Sequence, residues 1–134
     1  MKTIDFCRLG NYAIAGQDIE QSIRYKMTGK VHKADNVPFT VSGDCLGYQI
    51  KSARATICKG TDIAEHLKQD AATAYIYGTL AGKGYIMSRA EYLEFATTFA
   101  TTTRDSQKNG GAVKTRFKSE SKALLRWLEM RVEG

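Results

Sequence analysis

The tetrapeptide Tyr48-Gln49-Ile50-Lys51 is the first candidate for chemistry, because polar and apolar residues alternate along it. Side chains alternate between the two faces of a β-strand, so Gln49 and Lys51 would share one face while Tyr48 and Ile50 share the other. An amide oxygen that can ligate a cation and an ammonium group would then project side by side. The spacing therefore predicts a small polar site on one face of a strand.

Two carboxylates upstream are candidates for the same site. Asp35 precedes a strand-like run and a turn that leads back into the strand of Lys51, so we expect its carboxylate near Gln49. Glu20 lies at the edge of an apolar helical stripe, from which it can point at the same edge of the sheet. Asp44 is an alternative to Asp35, but it lies in a Ser-Gly-Asp turn, where aspartate commonly makes local hydrogen bonds, and we favour Asp35.

This arrangement resembles the PD-(D/E)xK nucleases, which have the restriction-endonuclease-like fold. Their core order is a helix, a three-stranded antiparallel meander, a second helix and a fourth strand, and the resemblance covers about residues 17 to 80. In that family a helix glutamate, an aspartate at a strand start and an acid-x-Lys tripeptide hold a divalent metal and activate water. Here Glu20, Asp35 and Gln49-Ile50-Lys51 occupy the matching places. The resemblance implies Mg²⁺ or Mn²⁺ as cofactor, with Glu20, Asp35 and Gln49 as ligands and Lys51 as a further catalytic residue.

The chain departs from the family at Gln49, which stands where an acidic residue is usual. This removes a negative charge from the metal site, so Mg²⁺ affinity would depend more on Asp35 and Glu20. Mg²⁺ prefers oxygen ligands and lowers the pKa of bound water, while Lys51 would orient the nucleophile or neutralise charge in the transition state. A structural interpretation stays open: Gln-x-Lys would simply face solvent, and Glu20 would pair with Arg24 at helical i+4 spacing.

A second group of residues is suited to binding a phosphate backbone. Over residues 112–118, AVKTRFK, alternation places Lys114, Arg116 and Lys118 on one face of a strand. Other basic residues lie near the candidate catalytic strand, namely Lys30, Lys33, Arg54 and Lys59. The chain has 20 Lys plus Arg against 14 Asp plus Glu, a formal net charge of +6. This balance favours a polyanionic partner.

Local signals predict the elements that position these residues. A helix over residues 17–28 ends at Gly29, and residues 30–60 indicate two or three antiparallel strands joined by tight turns. Capping pairs start helices at Asp62 and Ser88, on either side of two strands joined by a glycine-rich turn. Residues 101–111 are typical of a mobile loop, after which a strand and a helix close the chain.

The order αββαββαβα indicates the α/β (α+β) class, with a mixed central sheet flanked by helices. The resemblance implies an αβββαβ core followed by a carboxy-terminal strand and helix. We expect the aromatic residues at strand and helix spacing to lie in the core rather than to stack on bases. They are Tyr75, Tyr77, Tyr85, Tyr92 and Trp127.

Length and composition limit the remaining possibilities. The 134 residues fit one domain, 1–134, and no stretch approaches the roughly 20 apolar residues of a membrane span. The amino terminus lacks the pattern of an export signal, so we expect a cytoplasmic protein that does not bind membranes. Cys7, Cys45 and Cys58 form no C-x-x-C pair, and neither disulfides nor a zinc site is expected.

These observations predict a divalent-metal-dependent endonuclease that hydrolyses phosphodiester bonds in nucleic acid, with DNA as the expected substrate. Its backbone-binding residues would be Lys33, Arg54, Lys114, Arg116 and Lys118, and a homodimer would engage both strands. The alternative is a non-catalytic basic protein that regulates or inhibits a nucleic-acid-handling machine, as phage and defence-related proteins do. A third possibility is a basic domain that recognises an acidic protein.

Overall fold

The structure, a computed structural model, describes residues 1–10, 12–29, 44–45, 47–70, 72, 74–104 and 111–133. The helices in these ranges are α1 (Ala15–Thr28), α2 (Ile63–Gln69), α3 (Arg89–Phe99) and α4 (Lys122–Glu129). The strands are β1 (Lys2–Asp5), β2 (Asp44–Cys45), β3 (Tyr48–Ser52), β4 (Thr56–Lys59), β5 (Ala74–Gly78), β6 (Lys83–Met87), β7 (Ala100–Arg104) and β8 (Val113–Phe117). The chain is therefore α+β, as its sequence predicts. No helix in the described ranges is long and apolar enough to cross a membrane.

The strands form two sheets. A five-stranded mixed sheet has the order β1-β6-β5-β3-β2, in which β3 and β5 are parallel and the other neighbours are antiparallel. A three-stranded antiparallel sheet has the order β4-β8-β7. β2 and β3 make the expected antiparallel pair, whereas β4 leaves that sheet and pairs with β8. Its apolar residues Ile57 and Cys58 thereby become part of the larger core.

Both faces of the five-stranded sheet are covered, each by its own apolar cluster. On one face α1 packs Ile19 and Ile23 against Ile50 and Ile76. The helix approaches so closely that a Cβ on Gly78 would lie 2.4 Å from Ile19 Cγ2, so only glycine fits there.

The opposite face meets the three-stranded sheet, α2, α3 and α4 through a larger cluster. It contains the four predicted core tyrosines, none more than 2% exposed, and the half-buried Trp127. The prediction that these aromatic residues form the core is confirmed.

The helix boundaries follow from local hydrogen bonds. α1 ends at Gly29, which adopts the left-handed conformation (φ 73°) that glycine tolerates best. The Asp62 carboxylate accepts the Glu65 N–H at 3.0 Å at the start of α2, and Ser88 and Glu91 form a capping box at the start of α3. α2 ends at Gln69, and the guanidinium of Arg89 donates hydrogen bonds to the carbonyl oxygens of Asp70 and Ala72 just beyond this end of the helix.

Two strands differ from the sequence expectation. β1 was not anticipated; it pairs with β6 and forms one edge of the larger sheet. The segment expected to be a loop begins with β7, which pairs with β8, and only its residues 105–110 lie outside the described ranges. β-branched threonines favour strand structure, and Thr102 and Thr115 join the two strands through hydroxyl groups 2.9 Å apart.

Candidate functional site

The outward side of the three-stranded sheet is rich in cations, and we call it the basic face. Its described positions are Thr56, Lys59, Thr101, Thr103, Lys114 and Arg116. The register aligns Lys114 with Lys59 and Thr103, and Arg116 with Thr56 and Thr101. None of these six positions carries a carboxylate. Three cations and the exposed threonines Thr56 and Thr103 thus line one surface.

The alternation predicted for β8 is confirmed. Thr115 and Phe117 are buried, each 2% exposed, while Lys114 and Arg116 lie half-buried on the other side. Lys118 follows the strand and is exposed. The basic residues of β8 are therefore held in position by the buried residues between them.

Lys59 and Lys114 are direct register partners in this sheet. Like charges that face each other across an antiparallel pair destabilise it. Two ammonium groups at neighbouring positions of adjacent strands are also suited to contact an extended polyanionic ligand.

A cavity of about 570 Å³ opens at the carboxyl end of β3, and we call it the cleft. One wall is the start of α1, from Ala13 to Gln17 together with Glu20, and the other is the continuous segment Ile50–Thr56. Because β3 and β5 are parallel, the cleft lies outside the carboxyl ends of a parallel pair, where α/β sheets commonly bind ligands.

Lys51 lines the cleft and is half-buried. Its ammonium donates a hydrogen bond to the carbonyl oxygen of Thr56 at 2.9 Å. Burial lowers the pKa of Lys51, and the negative charges of Asp70 and Glu20 partly counteract this effect. Since Thr56 also belongs to the basic face, Lys51 connects the cleft to that face.

Glu20 also lines the cleft, but it belongs to α1, on the Ile50 side of the sheet. Its Oε1 lies 3.3 Å from Arg24 Nη2, the ion pair that i+4 spacing predicts. Gln49 is 5% exposed and lies opposite Tyr75 on the face that meets the larger core. Glu20 and Lys51 thus both line the cleft at the end of β3. Gln49 lies two residues earlier in β3, beside Tyr75.

Asp35 and Lys33 lie outside the described residues. Asp44, the alternative to Asp35, lies in β2, where its backbone pairs with that of Gln49 in β3. No group of three potential metal ligands among His, Cys, Asp and Glu occurs in the described part of the chain. Glu20 and Gln49 do not by themselves form a metal site, so a divalent ion would need a further carboxylate, from Asp35 or Asp44.

A second cavity of about 490 Å³, the side cavity, adjoins the cleft. The two share the walls Ala15–Gly16 and Ser52–Arg54. Arg54 is exposed at this shared wall and adopts a positive φ of 66°. Arg54 is the third residue of the turn 52–55, in which the Ala55 N–H donates a hydrogen bond to the Ser52 carbonyl oxygen at 3.1 Å.

The side cavity also contains Glu120, which sequence reasoning did not single out. Burial raises the pKa of this carboxyl group, although a hydrogen bond from Leu80 N–H at 3.0 Å and the charge of Arg8 act in the opposite direction. Its place beside the cleft depends on contacts distant in sequence, so no local motif marks it. The cysteines were expected to be small buried apolar residues; of the described ones, Cys58 is buried, whereas the expectation is wrong for Cys7, which is exposed.

No family model, no curated protein and no solved structure matches this chain. The functional argument therefore rests on the residues of the basic face and of the cleft.

Proposed function

We propose that this protein binds nucleic acid, with DNA as the expected partner, through its basic face. The observation that carries the proposal is the direct opposition of Lys59 and Lys114 in a sheet face without carboxylates at its six described positions. Phosphate groups are regularly spaced anions, and lysine and arginine neutralise them with release of bound counterions. The exposed threonines at the edges of the face, Thr56 and Thr103, add hydroxyl donors that position a backbone without reading its sequence.

The net charge of +6 acts in the same direction. It speeds association with polyanions of every kind, including acidic proteins, so it does not by itself select nucleic acid. The cations Lys114 and Arg116 follow β8, with Lys59 beside Lys114 on β4, and this arrangement favours an extended backbone over a compact acidic patch. Competition between duplex DNA and an acidic polypeptide would separate these two partners.

The binding test uses exposed lysines, whose removal spares the fold. Lys59→Gln and Lys118→Gln remove charges at the basic face, and Lys68→Gln removes one from α2, where that side chain is 75% exposed. Fluorescence anisotropy with labelled duplex and single strands at several salt concentrations gives the affinity and its salt slope. We expect each basic-face substitution to reduce the slope by about one, and the α2 control to leave it nearly unchanged. Equal effects from all three variants would reject the basic face as the binding surface.

We infer a second candidate function, divalent-metal-dependent cleavage of the bound nucleic acid, from the meeting of Glu20 and Lys51 in the cleft. The order of elements supports it, since α1 precedes the Gln49-x-Lys51 strand, α2 follows, and β5 then pairs with β3 in parallel. Mg²⁺ or Mn²⁺ would be held by Glu20 together with either Asp35 or Asp44. Gln49, the third ligand that the sequence suggests, is 5% exposed on the opposite face of the sheet and does not line the cleft. When bound, the ion would supply an activated water, and Lys51 would hold compensating charge beside it.

The cleavage test combines supercoiled plasmid and labelled oligonucleotides with Mg²⁺, Mn²⁺ or a chelator. Metal-dependent cutting that both Asp35→Ala and Lys51→Met abolish, with affinity retained, is the result expected of an endonuclease. The same assay with Asp44→Asn distinguishes the two aspartates. If both Asp35→Ala and Lys51→Met cut like the parent, the proposed catalytic set is wrong. Binding without cutting would favour a non-catalytic protein that regulates a nucleic-acid-handling machine.

We also expect a homodimer on duplex DNA, because a single basic face offers contacts to only one side of a duplex. Sedimentation of the protein with and without a short duplex measures this directly. Two protomers per duplex would support the expectation, and a one-to-one complex at saturating protein would contradict it.

A further inference from the structure

The cleft and the basic face are continuous. Thr56 begins β4, lines the cleft and aligns with Arg116 on the basic face. Its carbonyl oxygen holds the Lys51 ammonium at 2.9 Å. A backbone that follows the basic face from Lys114 towards Arg116 therefore arrives at Thr56 and at the opening of the cleft.

The size of the cleft limits what can enter it. Pockets for small ligands measure about 300–1,000 Å³, and the cleft, at about 570 Å³, falls within that range. A cavity of this volume is too small to take in both strands of a duplex. It is of the size that suits a single nucleotide, and Ile14 and Ile50 give it an apolar wall.

The charges of the cleft suit a phosphate at its outer end. Lys51 and Arg54 are the cations that line it, and Glu20 is the carboxylate, already 3.3 Å from Arg24. Arg54 stands at the wall shared with the side cavity and is exposed, so its guanidinium is available to a ligand in either cavity. Guanidinium groups bind phosphate oxygens in a bidentate fashion.

The backbone of Arg54 is an independent observation. A φ of 66° at the third position of a turn favours glycine, and an arginine there carries conformational strain. The turn imposes this backbone conformation, and it leaves the Arg54 side chain exposed at the mouth of the cleft.

We propose that the cleft binds the phosphate-bearing end of a single nucleic-acid strand that lies along the basic face, with Arg54 holding the terminal phosphate. This inference rests on the proposed nucleic-acid binding and adds its preferred substrate, a strand end. The protein would then favour ends or single-stranded extensions over the interior of a duplex.

The test compares a short single strand carrying a terminal phosphate with the same strand carrying a terminal hydroxyl, at each end in turn. Chelator is present throughout to prevent cleavage. A charge-assisted contact predicts a preference of about tenfold for one phosphorylated end. Arg54→Gly should abolish that preference without lowering the unfolding temperature, because glycine relieves the strain at this φ. Arg126→Gln removes an equal charge from an exposed position on α4 and should keep the preference.

Inorganic phosphate and a free mononucleotide serve as competitors. If they displace the strand with the preferred phosphorylated end more readily than the strand with a terminal hydroxyl, and Arg54→Gly removes this difference, the cleft is supported as a strand-end site. If the parent shows no end preference, or Arg54→Gly retains it, the inference is wrong, and the basic face stands if Lys59→Gln still weakens duplex binding. If no duplex or single strand binds at all, the proposed function itself fails.

Discussion

Lys51 illustrates how one side chain can serve both packing and chemistry. The side chain is half-buried, with the Thr56 carbonyl as acceptor for its ammonium and the charges of Asp70 and Glu20 nearby. A buried cation that does no chemistry costs stability, because desolvation is only partly offset by its hydrogen bond. A ligand phosphate that meets Lys51 in the cleft would offset part of this cost.

Substituting Lys51 with methionine should have a pH-dependent effect on stability. Burial lowers the native pKa of Lys51, so in the interval between that value and the ordinary lysine pKa the unfolded chain binds more protons than the native one. Stability of the parent therefore rises with pH across this interval, and the variant lacks that rise. We expect Lys51→Met to lose stability relative to the parent as the pH increases from neutral to alkaline. Urea unfolding across this range measures it, and a pH-independent difference would contradict the burial argument.

Sequence alternation correctly placed Gln49 and Lys51 on one strand face, because a two-residue period follows from backbone geometry alone. It could not show that the larger core covers this face. That depends on β3 pairing with β5, which aligns Gln49 with Tyr75 and Lys51 with Tyr77. Arg54 was identified only as a basic residue, since nothing in the sequence reveals its positive φ.

At the scale of elements, the helices were the most predictable parts of the chain. The caps at Asp62 and Ser88 act within a few residues, so their hydrogen bonds are encoded locally. Strand partners are chosen by distant contacts, and here the expectation was less successful. β4 pairs with β8 across more than fifty residues of sequence, and the threonines of β7 were taken for a loop.

The pairing of β4 with β8 predicts that a single substitution changes both the free energy of unfolding and the affinity for nucleic acid. Lys59→Gln removes one member of the like-charged pair with Lys114. We expect its free energy of unfolding to rise by about 0.2–1 kcal/mol, the range for cross-strand pairs, while its affinity for nucleic acid falls. Denaturant unfolding and anisotropy on the same preparation measure the two effects, with Lys68→Gln as control. A variant that loses both stability and affinity would instead indicate that Lys59 supports the sheet.

At the scale of the whole molecule, the two apolar clusters share the strands β3 and β5. Ile50 and Ile76 face α1, whereas Tyr75 and Tyr77 on the same sheet face the larger core. A disturbance of one cluster must therefore shift the strands that carry the other. The cleft lies at the carboxyl end of this shared pair and is walled by the start of α1, so its shape depends on both clusters.

Truncating Ile23 in the smaller cluster tests this coupling. Ile23 is fully buried, so Ile23→Ala should cost about 2–5 kcal/mol, the range for large core truncations. Trp127, the only tryptophan, packs against the larger cluster and reports on the far side of the sheet. We expect its fluorescence transition and the far-ultraviolet circular dichroism transition to move together to lower denaturant concentration. If the tryptophan transition stayed in place while helical signal was lost earlier, α1 would unfold as a separate unit. The wall of the cleft would then be set by α1 alone, independently of the larger core.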